Sequence, residues 1–313
     1  MKCASNLYAR RLFRIIICCS LLLTGGIATA SNGTVSFNAE RAWEHLLAQC
    51  SFGPRPPGSA AHSRCLEYLE KELEKVSFSV QRQPFMGVEP VTGTSYSLTN
   101  VIGRIWPERS HRILLCAHWD TRPWADQDPN PDHRSKPILG ANDGASGVAI
   151  LLEIARCISL RDPGIGVDIV FFDGEDMGRA GNLNEYCLGS RWYAENLSYP
   201  LPEAAVLLDL VGDADLHIPQ ELYSLTSSPD LLEEIFKIAE EMGEGVFDPH
   251  RGTAVYDDHV PLIQRGIRAV NLIDFDYDYW HTLQDVPANC SISSLDSVGR
   301  VLLAWVYQQG EKN

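Results

Sequence analysis

Positive charge is scarce in this sequence. Lysine and arginine together number 26, against 41 aspartates and glutamates, a formal net charge of −15. Four of the basic residues and none of the acidic ones fall in the first thirty positions, so the remainder carries 22 against 41, or −19. A surface of that sign argues against nucleic acid and anionic membrane as partners. Long apolar runs are missing too. The longest, Ile15–Leu23, is nine residues, about half of what a membrane-spanning helix needs. There is no C-x-x-C pair, which leaves neither a redox motif nor a zinc knuckle to build on. There is also no internal repeat and no low-complexity tract, so solenoids and disordered arrays are set aside.

The short apolar run has a specific setting. Arg10, Arg11 and Arg14 precede it, and Ala28-Thr29-Ala30 follows as an A-x-A cleavage site. Residues 1–30 therefore read as a secretory signal peptide, and the mature protein is expected to be exported, periplasmic or secreted, with no membrane contact after cleavage. Residues 31–313 fit a single α/β domain. Its six cysteines are scattered; they are expected to be mostly buried thiols, with Cys50–Cys65 a candidate disulfide.

Strands and helices alternate along this domain. Helices are expected over 38–50 and 62–75; in the second, Leu66, Leu69, Leu73 and Val76 recur at helical spacing. Strands are expected over 77–85, 96–106 and 112–117. A twenty-residue polar loop, TRPWADQDPNPDHRSKPILG, comes next, and an unstructured stretch of that length marks a functional loop or a lid. A helix then opens in ANDGASG and runs to about Ile158. Further strands are expected over 167–172, 204–210 and 267–273, and helices over 189–196, 230–241 and 294–307. The pattern predicts a three-layer α/β/α sandwich around a central, mostly parallel mixed sheet.

The stretch VDIVFFDGEDM, 167–177, is the centre of this arrangement. Five apolar residues form a strand buried on both faces, and Gly174 then turns the chain into Glu175-Asp176. Two adjacent carboxylates repel unless something positive lies beside them. Other polar residues sit at comparable strand or helix ends: His118, Asp120, Asp143, Asp209, Asp257, Asp258 and His281. Singly, each has an ordinary explanation; Asp143 alone would be a helix cap. Together they bring imidazoles and carboxylates, without thiolates, to one edge of one sheet, which suits catalytic zinc. Ser146 in GASG is not in a G-x-S-x-G setting and is discounted as a nucleophile.

These motifs resemble a known family. HWD at 118–120, GANDGASG at 140–147, FFDGED at 171–176, LLDLVG at 207–212 and WHT at 280–282 look like the zinc aminopeptidase superfamily with the M28-type fold. Within it, CLGSR at 187–191, DDHVP at 257–261, QRG at 264–266 and Trp280 before His281 resemble the glutaminyl cyclases, HWDTRPWADQD most of all the bacterial ones. The resemblance spans nearly the whole mature chain. It implies one zinc per chain on Asp143, Asp176 and His281, and Glu175 as general acid–base. It implies a proton-sharing pair, Asp209 and Asp257, and Trp280 against the substrate. The implied reaction converts N-terminal glutamine of peptides or proteins to pyroglutamate with release of ammonia, by a monomeric aminoacyltransferase. The competing implication is a two-zinc aminopeptidase, in which His118 and Asp209 also hold metal. All five ligands of that arrangement are present. The direction of Asp209 separates the two: toward Asp257 for the cyclase, toward His118 and a second metal for the aminopeptidase. Asn271 stands where animal cyclases have histidine, a departure at the edge of the site.

Overall fold

The computed structural model describes residues 35–198 and 200–312; the expected signal peptide lies outside the described residues. The described residues form one compact unit. In chain order the elements are α1 (Ala39–Ser51), α2 (Ala60–Glu74), β1 (Ser79–Val88), β2 (Ser95–Ile105), β3 (Arg112–His118), α3 (Ala145–Leu160), β4 (Gly166–Phe172) and α4 (Leu188–Asn196). Then come β5 (Ala204–Asp209), β6 (Ile218–Gln220), α5 (Leu222–Ser227), α6 (Pro229–Met242), β7 (Phe247–Arg251), α7 (His259–Gln264), β8 (Ala269–Ile273) and α8 (Ile292–Glu311).

Local chemistry sets the helix starts. The side chains of Asn38, Ser59 and Ser291 each accept a backbone N–H from the first turn of α1, α2 and α8. Six strands form the main sheet in the order β1-β2-β4-β3-β5-β8. β1 and β2 are an antiparallel hairpin on one edge, and β2 runs antiparallel to β4; β4, β3, β5 and β8 are mutually parallel. β2 and β3 are consecutive in sequence but not in the sheet, because β4 inserts between them.

Side-chain alternation along the strands separates two cores. Ile113, Leu115, Ala117, Val167, Ile169, Phe171, Val206 and Leu208 face α1, α2, α3, α6 and α8. Leu114, Cys116, Val170, Phe172, Ala205 and Leu207 face α4 and α7 on the other side. All seven residues of β4 are buried, which is why its sequence is apolar on both faces rather than alternating, save for Asp168, which is paired with Arg112. This is the three-layer α/β/α sandwich expected from the sequence.

Several short elements have no clear sequence signal. The parallel pair β6 and β7, the single-turn α5 and α7 fall in polar or proline-containing stretches and owe their form to tertiary contacts. The Cys50–Cys65 pairing is corrected: both thiols are free, as are Cys116, Cys157, Cys187 and Cys290. Burial raises the Cys50 thiol to about 11 and that of Cys65 to about 12. They serve as small apolar side chains in a core large enough to need no staple.

The connections make a switch point. From β3 the chain crosses through α3 to β4 on one side, and from β4 it returns across β3 to β5 on the other. In open α/β sheets the crevice outside the carboxyl ends at such a reversal is where ligands bind. Close packing of α3 on the sheet holds this crevice in shape. A Cβ on Gly147 would lie 2.4 Å from the carbonyl oxygen of Leu208 and 3.1 Å from Cβ of Ala117. Gly147→Ala should therefore cost about 1–3 kcal/mol of stability, read as a lower urea midpoint; an unchanged midpoint would mean that α3 is not packed on β5 as described.

Candidate active site

Five polypeptide turns converge outside the carboxyl ends of β3, β4 and β5. His118 is the last residue of β3, and Asp209 the last of β5. Beyond β4, Gly174 at φ 69° reverses the chain into Glu175 and Asp176. Asn142 and Asp143 lead into α3, and the loop after β8 brings Trp280 and His281. Two buried carboxylates pin these turns. Asp120 accepts the backbone N–H of Glu175 at 3.1 Å and of Asp176 at 3.4 Å. Asp285 accepts those of Asn142 at 2.8 Å and Asp143 at 3.1 Å, and the hydroxyl of Tyr277 at 3.2 Å. Three non-glycine residues here, Cys187, Leu210 and His281, hold φ between 51° and 57°. Such conformations cost about 1–3 kcal/mol each and persist only where surrounding packing imposes them.

Asp143, Asp176 and His281 come together as expected, each offering a ligand atom within 4.8 Å of the others. His281 Nε2 lies 3.4 Å from Asp176 Oδ2 and 3.7 Å from Asp143 Oδ2. Asp176 Oδ2 is buried without a hydrogen-bond partner, a condition costly for a carboxylate oxygen unless a cation meets it. One imidazole and two carboxylates, with an orphaned oxygen turned inward, fit a zinc ion. His118, Asp143 and Asp209 form a second such group. His118 Nε2 is 3.1 Å from Asp209 Oδ1 and 3.2 Å from Asp143 Oδ1. Asp143 thus turns one oxygen to each histidine.

The charges respond to burial and to each other. Burial would lower the His281 imidazole, but Asp176 and Asp126 outweigh it and raise it to about 9. Burial also opposes protonation of His118, which Asp209, Asp120 and Asp143 nonetheless lift well above its usual range. Asp176 is lowered, burial being outweighed by His281 and Arg122. Glu175 is pushed well up by burial, then by Asp176 and Asp257. Asp257 goes the same way through burial and Asp209.

The expected link from Asp209 to Asp257 is corrected. Asp209 is turned to His118, and no Asp209–Asp257 hydrogen bond occurs among the described residues. The reason is competition for partners. Asp257 is already supplied by Asn271 Nδ2 at 2.7 Å on Oδ2 and by the Asp258 backbone N–H at 2.5 Å on Oδ1. Asp209 meets the imidazole, a better partner for a carboxylate than another acid. Asn271 acts here as a hydrogen-bond donor to Asp257. Glu175 Oε1 accepts from the Cys187 thiol at 3.4 Å. Asp258 is buried next to Asp257 and near His118 and the Ser190 hydroxyl, with no hydrogen bond of good geometry to either oxygen.

A cleft of about 300 Å³ opens on this cluster, lined by Glu175, Asp209 and Asp257 and by the rings of Tyr186, Phe275 and Trp280. The Trp280 ring stacks on the His281 ring with centroids 3.7 Å apart and leans on Phe275. Reasoning from sequence missed Arg122, Asp126, Asp285 and Tyr277. The first two lie in the long polar loop, whose length was the only signal; the others lie in segments of ordinary composition.

Comparison with known proteins places this geometry. The family model of peptidase family M28 matches residues 100–306. The glutaminyl-peptide cyclotransferase of Bos taurus is 24% identical over 291 residues, covering 81% of this chain and 78% of that one. The crystal structure of Tannerella forsythia glutaminyl cyclase is similar at a TM-score of 0.83 and 38% identity, over 87% of this chain and 99% of that one. A Bacteroides thetaiotaomicron structure described as a leucine aminopeptidase precursor is similar at a TM-score of 0.84 and 36% identity, over 87% and 97%.

Asp258 offers a test of the charge arrangement. Burial raises its carboxyl to about 7, against the pull of the Ser190 hydroxyl and His118. A folded-state value above the unfolded one means stability present at low pH and lost as pH rises from about 4 toward 7. Asp258→Asn should remove that loss, narrowing the gap in unfolding free energy of the chelator-treated protein between pH 5 and pH 8, by on the order of a few kcal/mol at most. An unchanged gap would place the titrating group elsewhere.

Proposed function

The chain belongs to peptidase family M28, and from that premise we propose that it is a zinc-dependent glutaminyl-peptide cyclotransferase. The observation that carries this reading is the likeness to Tannerella forsythia glutaminyl cyclase across 99% of that protein's length. The substrates are peptides or proteins with N-terminal glutamine, and the cofactor is one zinc per chain. Residues 1–30 act as a secretory signal peptide, and the exported domain works as a monomer, periplasmic or secreted. No helix of the described residues is long and apolar enough to cross a membrane.

Asp143, Asp176 and His281 would hold the zinc, which supplies Lewis acidity toward the side-chain carbonyl of the substrate glutamine. The substrate's α-amine is the nucleophile. Glu175 takes a proton from it as the bond to the side-chain carbonyl carbon forms, and returns a proton to the departing amide nitrogen, which leaves as ammonia. Burial, then Asp176 and Asp257, raises the proton affinity of Glu175, the direction a general base needs. Asp257, held by Asn271 and raised in proton affinity by burial and by Asp209, is placed to donate to the atom that gains charge during closure. Asp209 stays paired with His118 and keeps charge balanced at the cleft wall. Trp280, fixed by its stack on His281, packs against the glutamine side chain.

The turning of Asp209 to His118 rather than to Asp257 is the direction expected of the aminopeptidase, and it favours a second reading. The group His118, Asp143 and Asp209 has the donors of a second metal, with Asp143 shared between the two groups. That is the arrangement of a two-zinc aminopeptidase. Metal analysis of the purified protein beside an ammonia-release assay on a glutamine-initiated peptide decides between them. We expect one zinc, ammonia release and negligible hydrolysis of aminoacyl-anilides. Two zincs with anilide hydrolysis and no ammonia would overturn the cyclase reading.

Two further outcomes follow from the residue roles. Glu175→Gln should retain fold and zinc while turnover falls 10²–10⁴-fold, about 3–5 kcal/mol of barrier; a near wild-type rate would show that another group moves the proton. N-terminal sequencing of exported protein should begin near Ser31, whereas cytoplasmic protein retaining Met1–Ala30 as its stable form would rule out the signal peptide.

A further inference from the structure

The long polar loop between β3 and α3 takes no part in the chemistry described so far. It carries Arg122, whose side chain is fully buried. A buried guanidinium is tolerated only when its N–H groups are committed to acceptors. Nη1 of Arg122 donates to Asp176 Oδ1 at 2.7 Å. Nε and Nη2 donate to the two oxygens of Asp126, each at 2.7 Å. Asp126 Oδ1 lies 3.4 Å from Nδ1 of His281, a buried nitrogen with no hydrogen bond of its own. The rings of Trp124 and Tyr186 flank the guanidinium at 5.2 and 5.7 Å. The loop is fastened to the same corner by main-chain contacts. The Gln127 amide donates to the His281 carbonyl at 3.2 Å, and the Leu283 amide donates to Asp128 at 3.0 Å.

We propose that Arg122 and Asp126 are positioning residues that orient Asp176 and His281 as metal ligands, an inference that rests on the reading of Asp143, Asp176 and His281 as the zinc site. Arg122 occupies Oδ1 of Asp176, so only Oδ2 is left facing His281 Nε2 across 3.4 Å. A carboxylate tied in this way offers a cation one oxygen instead of two. Asp126 beside Nδ1 favours the proton on that nitrogen, which leaves the Nε2 lone pair turned to the site. One planar cation thus fixes two of the three donors. A lysine could not bridge both carboxylates, because its ammonium lacks the fork.

The test is zinc affinity. Chelator-stripped wild type, Asp126→Asn and Arg122→Lys are titrated with zinc in competition with a chromogenic chelator, and the Tm of each is measured with and without zinc. Asp126 is the safer position, since its side chain is 26% exposed. If Arg122→Lys does not fold, Asp126→Asn decides alone. We expect folded variants to bind zinc about 10–100-fold more weakly and to show a smaller zinc-induced rise in Tm. Wild-type zinc affinity in folded Asp126→Asn overturns the proposal, as does a variant whose stripped form melts lower while zinc binds as tightly as before. Failure of the wild type itself to bind zinc removes the metal reading and this proposal together, a result distinct from equal binding by all three proteins.

Discussion

Confined negative charge governs this structure. Asp120, Asp143, Glu175, Asp176, Asp257, Asp258 and Asp285 are all buried, and most of them crowd one end of one sheet. Each would be costly alone in the interior. The chain meets the cost in four ways. Arg122 is buried to neutralise Asp176 and Asp126. His118 and His281 are drawn toward the protonated form. Asp120 and Asp285 take backbone amides as partners. Burial and neighbouring acids raise the proton affinity of Glu175 and Asp257. Both oxygens of Asp258 and Oδ2 of Asp176 are left without a hydrogen bond among the described residues, and the Asp176 oxygen, which faces His281, is where a zinc ion fits.

The apolar framework makes this tolerable. β4 is buried over its whole length, and α3 lies against the sheet so closely that a methyl group at Gly147 would meet a backbone carbonyl. Packing of that density transmits little give to the loops above it. The left-handed backbone at Cys187, Leu210 and His281 is held by it. Local strain at a rigid rim fixes side chains that would otherwise relax away from one another.

The same rim serves two chemistries within the family. Donors for one metal and for two are both assembled here, and Asp143 reaches toward each. The cleft also brings Asp257, held by Asn271, close to Glu175, and burial raises the proton affinity of both.

Much of this was legible in the sequence. The buried run at Val167–Phe172 marked the central strand, and the acids and imidazoles at strand ends marked the edge that carries the site. Both signals are local: they depend on the burial of successive side chains and on turns with few conformations. The placement of β4 between β2 and β3, the turning of Asp209 to His118 rather than Asp257, and the burial of Arg122 were not legible. Each depends on which partner among several is nearest in space, and electrostatic pairing over gaps of 3 to 4 Å leaves no periodic mark in a sequence. Composition and spacing determined which groups reach the site; the tertiary structure alone decided which carboxylate faces which cation, because that choice is made by competition among groups far apart in the chain.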